Sequence, residues 1–89
     1  MNNVEAYKLL AAELESWRRR PYADLRACIA AAPAATEVQV GPERLTIEVR
    51  AFWADETRRT IEIVAAAYGP STYRLERLEE RVTVDPPAS

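Results

Sequence analysis

Between Glu43 and Trp53 the chain alternates with a period of two. Leu45, Ile47, Val49, Ala51 and Trp53 fall on one side, and Arg44, Thr46, Glu48 and Arg50 on the other. A helix would scatter these apolar positions around its circumference, whereas a strand gathers them on one face. A second run answers the first: Ile61, Ile63, Ala65 and Ala67 alternate with Thr60, Glu62 and Tyr68. With a polar turn between them, the two runs define an antiparallel sheet that has one dry and one wet face.

Eighty-nine residues allow one core and no second domain. A chain of this size buries only ~60–65% of the surface its unfolded form exposes, so its stability is modest. Apolar residues make up 48% and charged residues 29%, a globular composition. Fourteen acids and twelve bases, interleaved along the chain, leave a net charge of −2, which argues against a nucleic-acid binder. The single cysteine, Cys28, rules out an internal disulfide and gives no sign of an oxidising compartment. The first residues show no basic-then-apolar leader, and the apolar stretch Cys28 to Ala35 is cut by Pro33, far short of a membrane span. A cytoplasmic protein with no membrane partner is the expectation. Arginine-rich, lysine-poor usage points to a GC-rich bacterial genome.

Two helices are expected ahead of the sheet. Asn2 or Asn3 caps the first, with Asn2 and Glu5 at capping-box spacing. Tyr7, Leu10, Leu14 and Trp17 form its inward stripe, flanked by Val4 and Ala11, with Leu9 opposite. Arg18, Arg19 and Arg20 end it, where positive charge suits the carbonyl end of the dipole. Pro21 then opens a shorter helix that turns Tyr22, Leu25, Cys28 and Ile29 inward and is stopped by Pro33.

A first strand over residues 36–40 leads to Gly41-Pro42-Glu43-Arg44, read as a four-residue loop pairing Val40 with Leu45 and Val38 with Ile47. The second turn spans residues 54–59 and the third lies at Gly69-Pro70-Ser71. Tyr73 and Leu75 then begin a fourth strand, followed by one turn around Leu78 to Arg81 and an extended Val82-Thr83-Val84. The expected fold is α+β, two N-terminal helices on one face of a four-stranded antiparallel meander (ααββββ). It occupies residues 1–85, with residues 86–89 a flexible tail.

The chemistry is defined by what is missing. Histidine is absent, and with one cysteine no zinc site of ordinary spacing exists. Ser16, Ser71 and Ser89 lie in no nucleophile elbow, and two glycines cannot build a phosphate-cradling loop. Adjacent acids, Asp55/Glu56 and Glu79/Glu80, are the only carboxylate pairs of catalytic interest, and solvated turn acids explain them as well. The expectation is no enzyme, no metal and no cofactor. Cys28 reads as a small buried hydrophobe rather than a reactive thiol, and Trp17 and Trp53 as core rather than pocket lining.

Two surfaces stand out. Pairing Ala51 with Ile63 sets Phe52 across from Glu62, Arg50 from Val64 and Thr46 from Tyr68. Phe52, Val64, Ala66 and Tyr68 would then make an apolar streak beside Arg50 on the face the helices leave open, a candidate interface. The other surface is the basic cluster Arg18, Arg19, Arg20 and Arg26, a candidate anion contact that a favourable helix end also explains.

The segments Pro21-Tyr22-Ala23-Asp24-Leu25 and Ile47-Glu48-Val49-Arg50-Ala51-Phe52-Trp53-Ala54-Asp55, after a leucine-rich helix, resemble a family of short bacterial proteins. In that family a Tyr-x-x-Leu helix precedes an Ile-Glu-Val-x-x-Phe-Trp-x-Asp strand and turn. The resemblance runs from about Leu10 to Gly69. It departs at Pro21, where the family carries a capping serine, and at Gly69-Pro70, where a longer glycine-rich turn is usual. It implies the helix-then-meander fold and is silent on mechanism. The sequence thus points to a non-enzymatic protein–protein interaction module, self-associating or bound to a cognate bacterial protein through the streak or a sheet edge. The alternative is an anionic-ligand or nucleic-acid module using the arginine cluster with Arg44 and Arg50.

Overall fold

In the computed structural model, which describes residues 3–69 and 78–87 (Asn3, Val40 and Glu43 by backbone alone), two helices precede four strands. These are α1 (Asn3–Arg18), α2 (Tyr22–Ile29), β1 (Ala34–Val40), β2 (Glu43–Trp53), β3 (Ile61–Tyr68) and β4 (Leu78–Val84). The strands form one antiparallel sheet in the order β1-β2-β3-β4. The helices share one of its faces, α1 over β3 and β4 and α2 over β2. This is the expected α+β architecture. The capping-box reading at Asn2 and the strand start at Tyr73 and Leu75 lie outside the described residues.

Parity along the central strands follows the sequence pattern. Leu45, Ile47, Val49, Ala51, Ile61, Ile63, Ala65 and Ala67 are all buried. They meet Leu10, Leu14 and Trp17 of α1 and Leu25 of α2 in one cluster, with Leu45 beside it. No polar or charged side chain is buried among the described residues, so the core is held by apolar burial alone. Pairing of β2 with β3 is as expected, Ala51 with Ile63, Phe52 with Glu62 and Thr46 with Tyr68. Ala54 N–H donates to the Thr60 carbonyl at 2.8 Å to close the turn between them.

Four local expectations are corrected. The first hairpin is tighter: Val40 pairs with Glu43, Val38 with Leu45 and Thr36 with Ile47, leaving a two-residue turn at Gly41-Pro42. Gly41 has φ +59°, and proline next to it holds a negative φ, the arrangement of a type II′ turn that matches strand twist. β1 also starts earlier, at Ala34. Second, Leu78 to Arg81 is not a turn but the first half of β4, paired from Ala67↔Leu78 to Val64↔Arg81. The partner strand overrides the helical spacing of Leu78 and Val82. Third, the stripe of α1 is rotated: Ala6 is fully buried while Tyr7 is 40% exposed, so a small side chain and not the ring takes the first inward position of a helix that packs on β3 and β4. Fourth, α2 ends at Ile29, well before Pro33, with Ala30 as its C-cap and Ala31 N–H on the Cys28 carbonyl at 3.1 Å.

An added Cβ at Gly41 would meet nothing within 4 Å, so substitution there strains the backbone alone. Gly41→Ala is expected to lower unfolding free energy by about 1–2 kcal/mol. Gly41→Asn, which tolerates positive φ better, should lose less in the same urea titration. Equal losses for the two would show that φ is not the cause.

Candidate functional site

The outer face of the sheet carries the even-numbered side chains of β2 and β3, and the apolar streak proves discontinuous. Phe52 is 44% exposed, Val64 and Tyr68 are half-buried, and Ala66 is only 2% exposed. Charged side chains stand between them. Arg50 Nε donates to Glu48 Oε1 at 2.8 Å, and the Tyr68 hydroxyl reaches Glu48 Oε2 at 3.4 Å. Arg81 lies 3.6 Å from both Glu62 and Glu79. Within this ring is a depression of ≈240 Å³ above Val64 and Ala66. Long polar side chains lie along apolar surface in this way, and the surface pairs themselves contribute roughly 0–1 kcal/mol each. Phe52 is the one large apolar group left open on this face among the described residues.

The arginine cluster is largely occupied within its own helix. Arg18 and Arg19 both reach Glu15, at 3.1 and 3.4 Å. Arg20 lies over the ring of Trp17, 3.8 Å from its centroid, an ordinary cation–π contact. Arg26 is exposed on α2. Of the two further arginines, Arg44 pairs with Glu37 at 3.6 Å and Arg50 with Glu48. The carboxylate pairs do not converge either. Glu79 pairs with Ala66 and Glu80 with Ala65, so the two acids project to opposite faces of β4. Asp55 serves its turn, accepting from Arg58 N–H through its carbonyl (3.3 Å) and from Arg59 N–H through Oδ1 (3.4 Å). No trio of His, Cys, Asp or Glu among the described residues is placed to hold a metal.

Trp17 is core, as expected, with its indole N–H on Glu13 Oε1 at 3.1 Å. Trp53 packs half-buried against the same cluster. Both also border a cleft of ≈590 Å³ between α2, the Ala31–Ala34 link and the end of β2, a role that periodicity could not reveal. Cys28 lines this cleft and is half-buried rather than sealed.

The two edges of the sheet are defended unequally, and this the sequence reading had not resolved. β4 carries three consecutive charges, Glu79, Glu80 and Arg81, and α1 lies alongside it. Charge of this kind discourages another chain from pairing. β1 reads Ala-Ala-Thr-Glu-Val-Gln-Val, with Glu37 its only charge and no proline or bulge. Among the described residues neither helix packs on it to the extent that α1 packs on β3 and β4 or α2 on β2. Ala34, Ala35, Thr36, Glu37 and Gln39 are exposed, and Val38 is half-buried. Beyond it the last residues of β2, Arg50 to Trp53, run past the start of β1 and have no β1 partner, bordering instead the cleft beside the Ala31–Ala34 link.

No helix among the described residues is long and apolar enough to cross a membrane. No family model, curated protein or solved structure matches this chain.

Proposed function

We propose that this domain is a non-enzymatic protein–protein interaction module of the bacterial cytoplasm that receives its partner at the β1 edge of the sheet. The partner is either a second copy of the chain or another protein offering an extended strand. One observation carries the reading: among the described residues β1 is a regular edge strand with one charge on which neither helix chiefly packs, while the opposite edge carries three consecutive charges beside α1. An edge strand presents unpaired backbone donors and acceptors, and strand addition satisfies them at once. Phe52, Val64 and Tyr68 with Arg50 supply the adjoining outer face, where Phe52 adds apolar area at the rim of such a contact. The anionic-ligand alternative has less support, since Arg18, Arg19 and Arg20 are already engaged by Glu15 and Trp17.

Photo-crosslinking tests the reading. With p-benzoylphenylalanine in place of Ala35, on β1, a cross-linked peptide identifiable by mass spectrometry is expected in cells. In place of Ala12, on the solvent side of α1, none is expected. Capture from Phe52 but not Ala35 would move the contact to the outer face, and capture from neither would overturn the proposal.

A further inference from the structure

If β1 is the docking strand, as proposed above, its own sequence specifies what fits beside it. Two antiparallel copies of β1 joined in one continuous sheet are related by a two-fold axis normal to the sheet. Directly opposed residues of antiparallel strands share a face. The axis must therefore pass through a residue, and each choice has a definite consequence.

With the axis at Glu37, two carboxylates face one another, which is unfavourable for a cross-strand pair. At Thr36, each Glu37 faces Ala35, which offers no partner. At Gln39, only three residues of each strand overlap. At Val38 the strand is complementary to itself. Val38 meets Val38 of the second copy on the helix-bearing face, where it is half-buried at the margin of the core and keeps apolar surface to offer. Each Glu37 faces Gln39 of the second copy on the other side, twice by symmetry.

The groups needed there are in place. Glu37 holds Arg44 through Oε2 at 3.6 Å, which leaves Oε1 to accept. Gln39 Nε2 gives one hydrogen to the Gly41 carbonyl at 2.8 Å and has a second to donate. An amide-to-carboxylate bond of this kind is charge-assisted and stronger than a neutral one.

We infer that β1 pairs with a second copy of this chain in antiparallel register about Val38, making an eight-stranded sheet with Glu37–Gln39 bonds on either side of the axis. The contact is isologous, as two-fold interfaces are. It rests on a single short strand from each copy, so the dimer is weak and forms at high protein concentration.

Disulfide trapping in a Cys28→Ala background reads the register directly, because opposed Cα atoms about 4.5–5.5 Å apart lie within disulfide reach. Val38→Cys should self-link under mild oxidation at least about tenfold faster than the exposed control Ala12→Cys. Glu37→Cys and Gln39→Cys should link poorly alone and readily when mixed. Sedimentation of the wild-type chain should shift towards dimer as concentration rises. Fast self-linking of Glu37→Cys, or no linking by Val38→Cys, would overturn the inference. If self-linking is absent while the photo-probe at position 35 captures a different polypeptide, the second copy is excluded and edge docking stands. If both are absent, both fail.

Discussion

Ile63→Ala should destabilise the domain by about 3 kcal/mol, while Val64→Ala next to it should lose less than about 1 kcal/mol. The two residues are neighbours in the most central pairing of the sheet, yet Ile63 is fully buried under the helices and Val64 is half-buried on the outer face, paired across to Arg50 and Arg81. Truncating Ile63 removes transfer energy and leaves a cavity that rigid neighbours cannot fill. Val64 borders solvent, and its polar neighbours can close over the gap. Against a total of roughly 5–10 kcal/mol for a domain of this size, 3 kcal/mol is a large share. The melting temperature should fall by about 12–24 °C. Urea titration of both variants measures the difference, and equal losses would mean that the two faces of β3 are not distinguished in solution.

Leu25→Ala should have a comparable effect, of about 3 kcal/mol, but a more local one. An eight-residue helix does not persist in water by itself, so α2 exists because it is held. Leu25 is its one fully buried side chain, with Tyr22, Cys28 and Ile29 half-buried around it. The Tyr22 hydroxyl donates to the Arg59 carbonyl, tying the helix start to the turn between β2 and β3. Asp24 and Leu25 N–H both bond the Pro21 carbonyl, at 3.0 and 3.2 Å. Once Leu25 is truncated, these polar contacts are too few to hold the segment, and it should detach before the sheet opens. In hydrogen exchange, the amides of Cys28 and Ile29 should lose at least about tenfold more protection than those of Ile63 and Ala65, since each 1.4 kcal/mol is tenfold. Equal loss in helix and sheet would show that α2 and the strands unfold as one unit.

Much of the fold was legible because the strongest signal, parity in β2 and β3, depends on a single period and on which face is dry. Once Leu45 to Trp53 and Ile61 to Ala67 were placed, their register followed. The first hairpin was misread by two residues because Gly41-Pro42 was given a longer loop than a glycine with positive φ requires. β4 was misread because Glu79, Glu80 and Arg81 carry no strand signal of their own; they are extended because β3 pairs with them. The candidate surfaces divided along the same line. The streak from Phe52 to Tyr68 was assigned to the correct face, but whether Arg50, Glu48 and Arg81 interrupt it depends on side-chain reach across strands. That β1 takes little of the helix packing among the described residues follows from where α1 and α2 settle on the sheet, which no local pattern in β1 encodes.

Because α1 rests on β3 and β4, its seat is complete only once β4 is in place. During vectorial synthesis α1 emerges before both strands it packs on, so Leu10, Leu14 and Trp17 are fully sheltered only when β3 and β4 have both left the exit tunnel. Such long-range closure makes assembly slow. It also places the nascent domain's greatest exposure to chaperones, and to neighbouring nascent copies, in the interval before β4 arrives.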